Sequence, residues 1–196
     1  IEVLKRGIIF IDLAIAQIAG LGLVTANIFA PDITWLAQVF AICFALFGAF
    51  FFHFAEKKIP QHQEAIIGCS FVLSASLAIL LLADAPHGSE EIQHLLSGQI
   101  LFVTWNDVLT HLPVYITILV LWFTFQKSRS GAWFYILFAF AITSSVQLAG
   151  VYVVFASLIL PALASSNIKH AWLCGITSVL AGIIISVSTD APTGPV

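Results

Sequence analysis

The chain alternates long apolar runs with short polar breaks. Seven runs stand out, at about 7–29, 33–55, 65–83, 105–126, 132–147, 150–166 and 171–188. The first is about 34 Å long as a helix, enough for a hydrocarbon layer of about 30 Å. Each run therefore reads as a membrane-crossing helix. The breaks differ in kind. "APD" (30–32) is a tight turn, and "EKKIPQHQE" closes the second run. "DAPHGSEEIQHLLSGQ" is polar and holds a short predicted helix that Ser89 can cap, with Glu90 and Glu91 at its positive end. Pro113 interrupts the fourth run, "KSRSG" (127–131) follows it, and the fifth and sixth runs join with almost no loop. "NIKH" leads into the seventh. The expected fold is all-α, one polytopic transmembrane bundle of about seven spans covering 1–196.

Composition supports this reading. Of 196 residues 60% are hydrophobic and 9% charged, against roughly 25% charged in soluble domains. Mean hydropathy is +1.05. No basic cluster exceeds two adjacent residues, which excludes a nucleic-acid footprint. Cys43, Cys69 and Cys174 lie in apolar runs without CxxC spacing, so they read as small buried hydrophobes, not disulfides or zinc ligands. A first residue of isoleucine, no methionine and a Pro/Gly-rich last stretch suggest a chain that continues at both ends. No signal-peptide pattern opens it.

Charge sets the expected orientation. Lys5 and Arg6, Lys57 and Lys58, Lys127 and Arg129, and Lys169 fall in every second break. The alternate breaks carry Asp32, Asp84, Glu90, Glu91 and Asp190 instead. A miscounted span would scatter the basic residues over both sides. The positive-inside rule places the basic breaks in the cytoplasm and the acidic ones outside.

Asp12 is the one carboxylate well inside the first run. A charge at a span's centre costs on the order of 3 kcal/mol, so such groups face a bundle interior or a wet cavity. Ala16, Ala19, Gly20, Leu23 and Asn27 share its helical face, and small residues let helices approach closely. That face is therefore expected to meet protein. Asp12 either pairs structurally with a neighbouring helix or serves an ion path. Gln17 points elsewhere; Gln17 and Asn27 are the other polar candidates along a path. Asp107 and His111 stand four apart on one helical face, a spacing that can ligate a divalent cation, or simply a solvated helix start. Thr143, Ser144, Ser145 and Gln147 sit where two helices join, and their side chains can satisfy freed backbone groups. Pro161 would free a carbonyl and kink the sixth segment. His87 and His94 read as solvated loop residues. No GxxxxGK[ST], GxSxG or HExxH occurs, so the chain shows no nucleotide site and no hydrolase chemistry.

In order along the chain stand "RGIIFIDLAIAQIAGLG", "PQHQEAIIG", "PHGSEEIQHLLSGQILFVTWNDV", "TSSVQLAGVYVVFASLILPALA" and "DAPTGP". Together they resemble the membrane permease of bacterial zinc/manganese ABC importers, the family that also carries iron-chelate uptake systems. The resemblance implies a homodimeric permease of the cytoplasmic membrane. It implies separate cytoplasmic ATP-binding subunits on the basic loops and an extracytoplasmic metal-binding protein docking outside. It also implies no enzymatic chemistry and no cofactor in the chain, only a transported zinc or manganese ion. In the family an aspartate of the early span lines the metal path, often with a histidine four residues on. Asp12 matches that aspartate, and position 16 is alanine. The family carries a longer cytoplasmic stretch with a coupling helix after the fourth segment. Only "QKSRSG" stands here, so Gln126, Lys127, Ser128 and Arg129 are the candidate ATPase-coupling residues. The family has a further span at each end. Two other readings compete: a non-transporting structural subunit of a membrane assembly, and a secondary metal carrier that needs no ATPase.

Overall fold

Where lipid offers no hydrogen bonds, apolar segments of this length close their backbone bonds within helices. The computed structural model describes residues 8–29, 34–83, 88–98, 100, 103–124, 131–165 and 167–189. Among them the regular elements are all helical. They are α1 (Ile11–Phe29), α2 (Thr34–Lys58), a 3-10 turn (Pro60–His62), α3 (Gln63–Leu82), α4 (Gly88–Ser97), α5 (Trp105–Thr124), α6 (Gly131–Ala149), α7 (Val151–Ala164) and α8 (Ile168–Thr189). Each of the seven apolar runs is a helix, and α4 is the short helix expected in the polar loop. Six are long and apolar enough to cross a membrane; α7 has 14 residues, about 21 Å. Its length is set by Gly150, whose φ of 81° ends α6, and by extended Ser165.

Helix α1 is the hub, packed against α2, α3, α6 and α7. Small residues make this possible, since lipid tails are as apolar as any side chain and packing alone selects the contact. Ala14, Ala16, Ala19, Gly20, Gly22 and Ala26 are buried on α1, as are Ala41, Ala45, Ala49 and Phe52 on α2, and Gly22 comes closest to the Phe40–Ala41 backbone. By contrast α5 buries no residue and α8 only Ala171 and Ser186. Cys43 and Cys69 are exposed free thiols rather than buried ones. Facing lipid is as favourable for an apolar group as facing protein, so apolarity did not dictate their burial.

The contacts reproduce the predicted alternation of ends. The starts of α1, α3 and α6 gather with the ends of α2 and α5: Phe10 bonds Glu64, Gln63 bonds Tyr135, and the rings of His53 and Trp122 pack tilted against those of Tyr135 and Phe134. At the opposite end Gly98 lies against the Ala149–Gly150 peptide. A Cβ on either glycine would overlap the other's backbone, and both have positive φ, 65° and 81°. This contact ties the end of α4 to the α6–α7 break. Contrary to expectation Pro113 does not interrupt α5; the helix continues through it, and Thr117 Oγ1 donates to the Pro113 carbonyl at 2.8 Å.

Candidate functional site

The first turn of α1 has backbone N–H groups with no partner inside the helix. Three N–H groups at this start find partners by different routes. Phe10 N–H donates to Glu64 Oε1 of α3 at 3.1 Å, Ile11 N–H to the Ile8 carbonyl at 3.3 Å, and Leu13 N–H to Asp12 Oδ1 at 2.8 Å. Two carboxylates thus converge on one helix start, where the dipole favours negative charge. Asp12 is only 2% exposed, and Ala16 and Ala19 on its face are 2% and 1% exposed. Its side meets protein, as the spacing predicts; Asn27, at the far end of that face, is exposed.

Each carboxylate has one oxygen held and one spare. Asp12 Oδ2 and Glu64 Oε2 are buried and have no hydrogen-bond partner among the described residues. Glu64 is held at the N–H of Phe10, two residues before Asp12. A buried polar atom left unpaired costs about 1–3 kcal/mol, more when charged. Beside this pair, Gln63 Nε2 donates to the hydroxyl of fully buried Tyr135 at 2.9 Å. The His53 ring packs 5.5 Å from that of Tyr135, and its Nδ1 stands 3.7 Å from Glu56 Oε2, too far for a hydrogen bond.

Glu64, Gln63, Tyr135 and His53 were not singled out in the sequence. "PQHQE" reads as loop because it is polar. Its Pro60 was the overlooked signal, since proline suits a first helical position and here opens the turn that leads into α3. Gln63 and Glu64 are therefore helical and carried into the bundle.

Asp107 and His111 are engaged separately. Thr104 N–H and Oγ1 donate to Asp107 Oδ2 at 2.9 and 2.7 Å, and Asp107 N–H donates back to Thr104 Oγ1 at 3.3 Å. This is a reciprocal cap at the start of α5. His111 Nδ1 lies 2.8 Å from Ser144 Oγ, and Tyr115 and Ser145 hydroxyls are 3.1 Å apart. The α6 serines thus link to α5 side chains rather than to the freed backbone, because α6 keeps its helical bonds up to Gly150. Thr143 Oγ1 is buried without a partner. Gln17 is half-buried. Gln126, Lys127, Ser128 and Arg129 lie outside the described residues, as do Lys5, Arg6 and His87. Among the described residues no three His, Cys, Asp or Glu converge to hold a metal ion.

The sequence matches the ABC 3 transport family over residues 2–134 and 128–196. The chain belongs to the ABC 3 transport family. No curated protein matches it. Among solved structures it is similar to PsaBC from Streptococcus pneumoniae in complex with Fab, at 20% identity, with a TM-score of 0.73. That match covers 99% of this chain and 78% of the other, and at this identity it is a likeness of fold. For this ABC 3 transport chain the family match falls in two stretches that meet at 128–134. The seam coincides with the short connection between α5 and α6.

Proposed function

We propose that the chain is the membrane permease of an ABC importer for divalent metal ions, zinc or manganese, and that Asp12 is an oxygen ligand on the path. Membership of a transport family and a bundle of membrane-length helices support the class. The observation that carries the site is Asp12 Oδ2, an acceptor buried in protein with no partner among the described residues. A single weak ligand suits a path, because the ion must leave as readily as it enters.

Two copies form the translocation path and alternate its access, driven by ATP-binding subunits on separate chains. The end that carries Lys57 and Lys58 faces the cytoplasm of a bacterial inner membrane and meets those subunits. The α5–α6 connection, with Gln126, Lys127, Ser128 and Arg129, is the coupling contact. The opposite end, with α4 fixed at the α6–α7 break, receives an extracytoplasmic metal-binding protein.

Asp12→Asn tests the site. Metal uptake by the assembled importer is expected to fall at least about tenfold, while the variant elutes at the wild-type dimer position. Unchanged uptake would make the carboxylate structural. Uptake that survives deletion of the whole chain would favour a structural subunit instead.

A further inference from the structure

Asp12 alone would be a weak ion ligand, and the alanine at position 16 adds no donor to it. The structure supplies a second donor from elsewhere in the chain. Glu64 reaches the same helix start from α3 and is fixed there by Phe10 N–H through Oε1. Asp12 is fixed through Oδ1 by Leu13 N–H. Each carboxylate therefore has its position set by one oxygen while the other stays free. Both free oxygens, Oδ2 and Oε2, are buried without a hydrogen-bond partner among the described residues. Two carboxylates bound to one helix start in a low-dielectric bundle repel, and a cation shared by them would remove that cost.

We propose that Glu64 is the second ligand of the Asp12 site, and that the pair forms an oxygen-only transit site for a hard divalent cation of the manganese class. The inference rests on the permease reading above and goes further in naming the ligand partner and the donor chemistry. Carboxylate oxygens with water completing the shell suit manganese, magnesium and calcium. Zinc gains its advantage from imidazole and thiolate donors. The buried, unpartnered acceptors at this point are carboxylate oxygens, and His53, which packs against Tyr135, has its Nδ1 toward Glu56. Two charges on the site neutralise a divalent ion without forming the closed, four-ligand cage that would trap it.

The test uses the assembled importer, full chain with its ATP-binding subunits, and Mn2+ as probe. Binding is followed by loss of the aqueous Mn2+ electron-spin-resonance signal, and transport by initial uptake rate. Glu64→Gln keeps an oxygen for Phe10 N–H and so preserves the helix start. It is expected to weaken Mn2+ binding at least about tenfold, since even outer-shell partners of a metal ligand are worth that much. Asp12→Asn should match it, and the double variant should be no worse than either alone. Wild-type protein supplies a readout independent of any variant: Zn2+ should displace Mn2+ with an advantage of no more than about tenfold.

Several outcomes overturn the proposal. If Glu64→Gln binds Mn2+ like wild type while Asp12→Asn does not, Glu64 is only a cap for α1 and the permease reading survives. If the two losses multiply in the double variant, the residues serve separate sites. A zinc advantage of about a hundredfold or more would require nitrogen or sulfur donors. If Mn2+ never binds and the pair takes up a single proton instead, the occupant is a proton. Failure of the permease reading itself looks different, because uptake would then survive deletion of the whole chain.

Discussion

Replacing Gly22 with alanine tests the close approach of α1 and α2 on which the hub depends. A Cβ there would lie 2.7 Å from the Phe40 carbonyl oxygen, 3.0 Å from its carbon and 3.1 Å from Ala41 Cα. All three are backbone atoms of α2, so no rotamer change relieves the overlap. Reaching ordinary contact at 3.4 Å requires the helices to part locally by about 0.7 Å. Overpacking of this kind costs about 1–3 kcal/mol. Alanine also gains up to about 1 kcal/mol of helix propensity over glycine, which would mask part of the loss. Gly68→Ala is the control. It too lies inside a helix, and its Cβ would meet nothing within 4 Å. Propensity cancels between the two variants, leaving the clash. At about 2–4 °C per kcal/mol for a chain this size, Gly22→Ala should melt about 2–12 °C below Gly68→Ala. Gly48→Ala should fall between them, because the atoms nearest its Cβ belong to the movable Ile18 side chain, Cδ1 first at 2.8 Å. Thermal unfolding of the detergent-purified protein, followed by tryptophan fluorescence, gives the order. Equal melting of the Gly22 and Gly68 variants would refute the close approach, and so would Gly48→Ala proving the worst.

Two further outcomes follow from the polar contacts. Tyr135→Phe removes the acceptor of Gln63 Nε2 in a buried site and should cost about 1–3 kcal/mol by the same melt. Adding Gln63→Leu should recover most of that loss, and no recovery would mean that the hydroxyl acts through a partner other than Gln63. Ser144→Ala removes the partner of His111. Interhelical bonds in membranes average about 0.6 kcal/mol, so a loss above about 2 kcal/mol would show that the α5–α6 seam carries more than this contact.

Much of the architecture was legible in the chain because it is one-dimensional. Hydropathy and run length located seven helices, and the spacing of small residues after Asp12 identified a protein-facing side. The count of runs and breaks anticipated that the starts of α1, α3 and α6 share one end, where the Phe10–Glu64 and Gln63–Tyr135 contacts form. Burial was legible less well. The cysteines were expected inside, yet Cys43 and Cys69 are exposed, because lipid accepts an apolar group as readily as a core does. The polar "PQHQE" passed for loop, though its last two residues begin α3. The α6 serines were assigned to backbone repair but bond to α5, a choice made by a helix whose residues lie 30 and 33 positions away.

By itself, then, the sequence determined that this is a helical membrane chain, how many apolar helices it has and which side of α1 avoids lipid. These follow from transfer energies and helix period, which are local properties. Only the tertiary structure decided what faces Asp12. Glu64 lies 54 residues beyond Phe10, and no local pattern announces that its carboxylate would close on the start of α1. In lipid the hydrophobic effect does not choose between neighbours, so backbone closeness at small residues and a few buried hydrogen bonds choose instead.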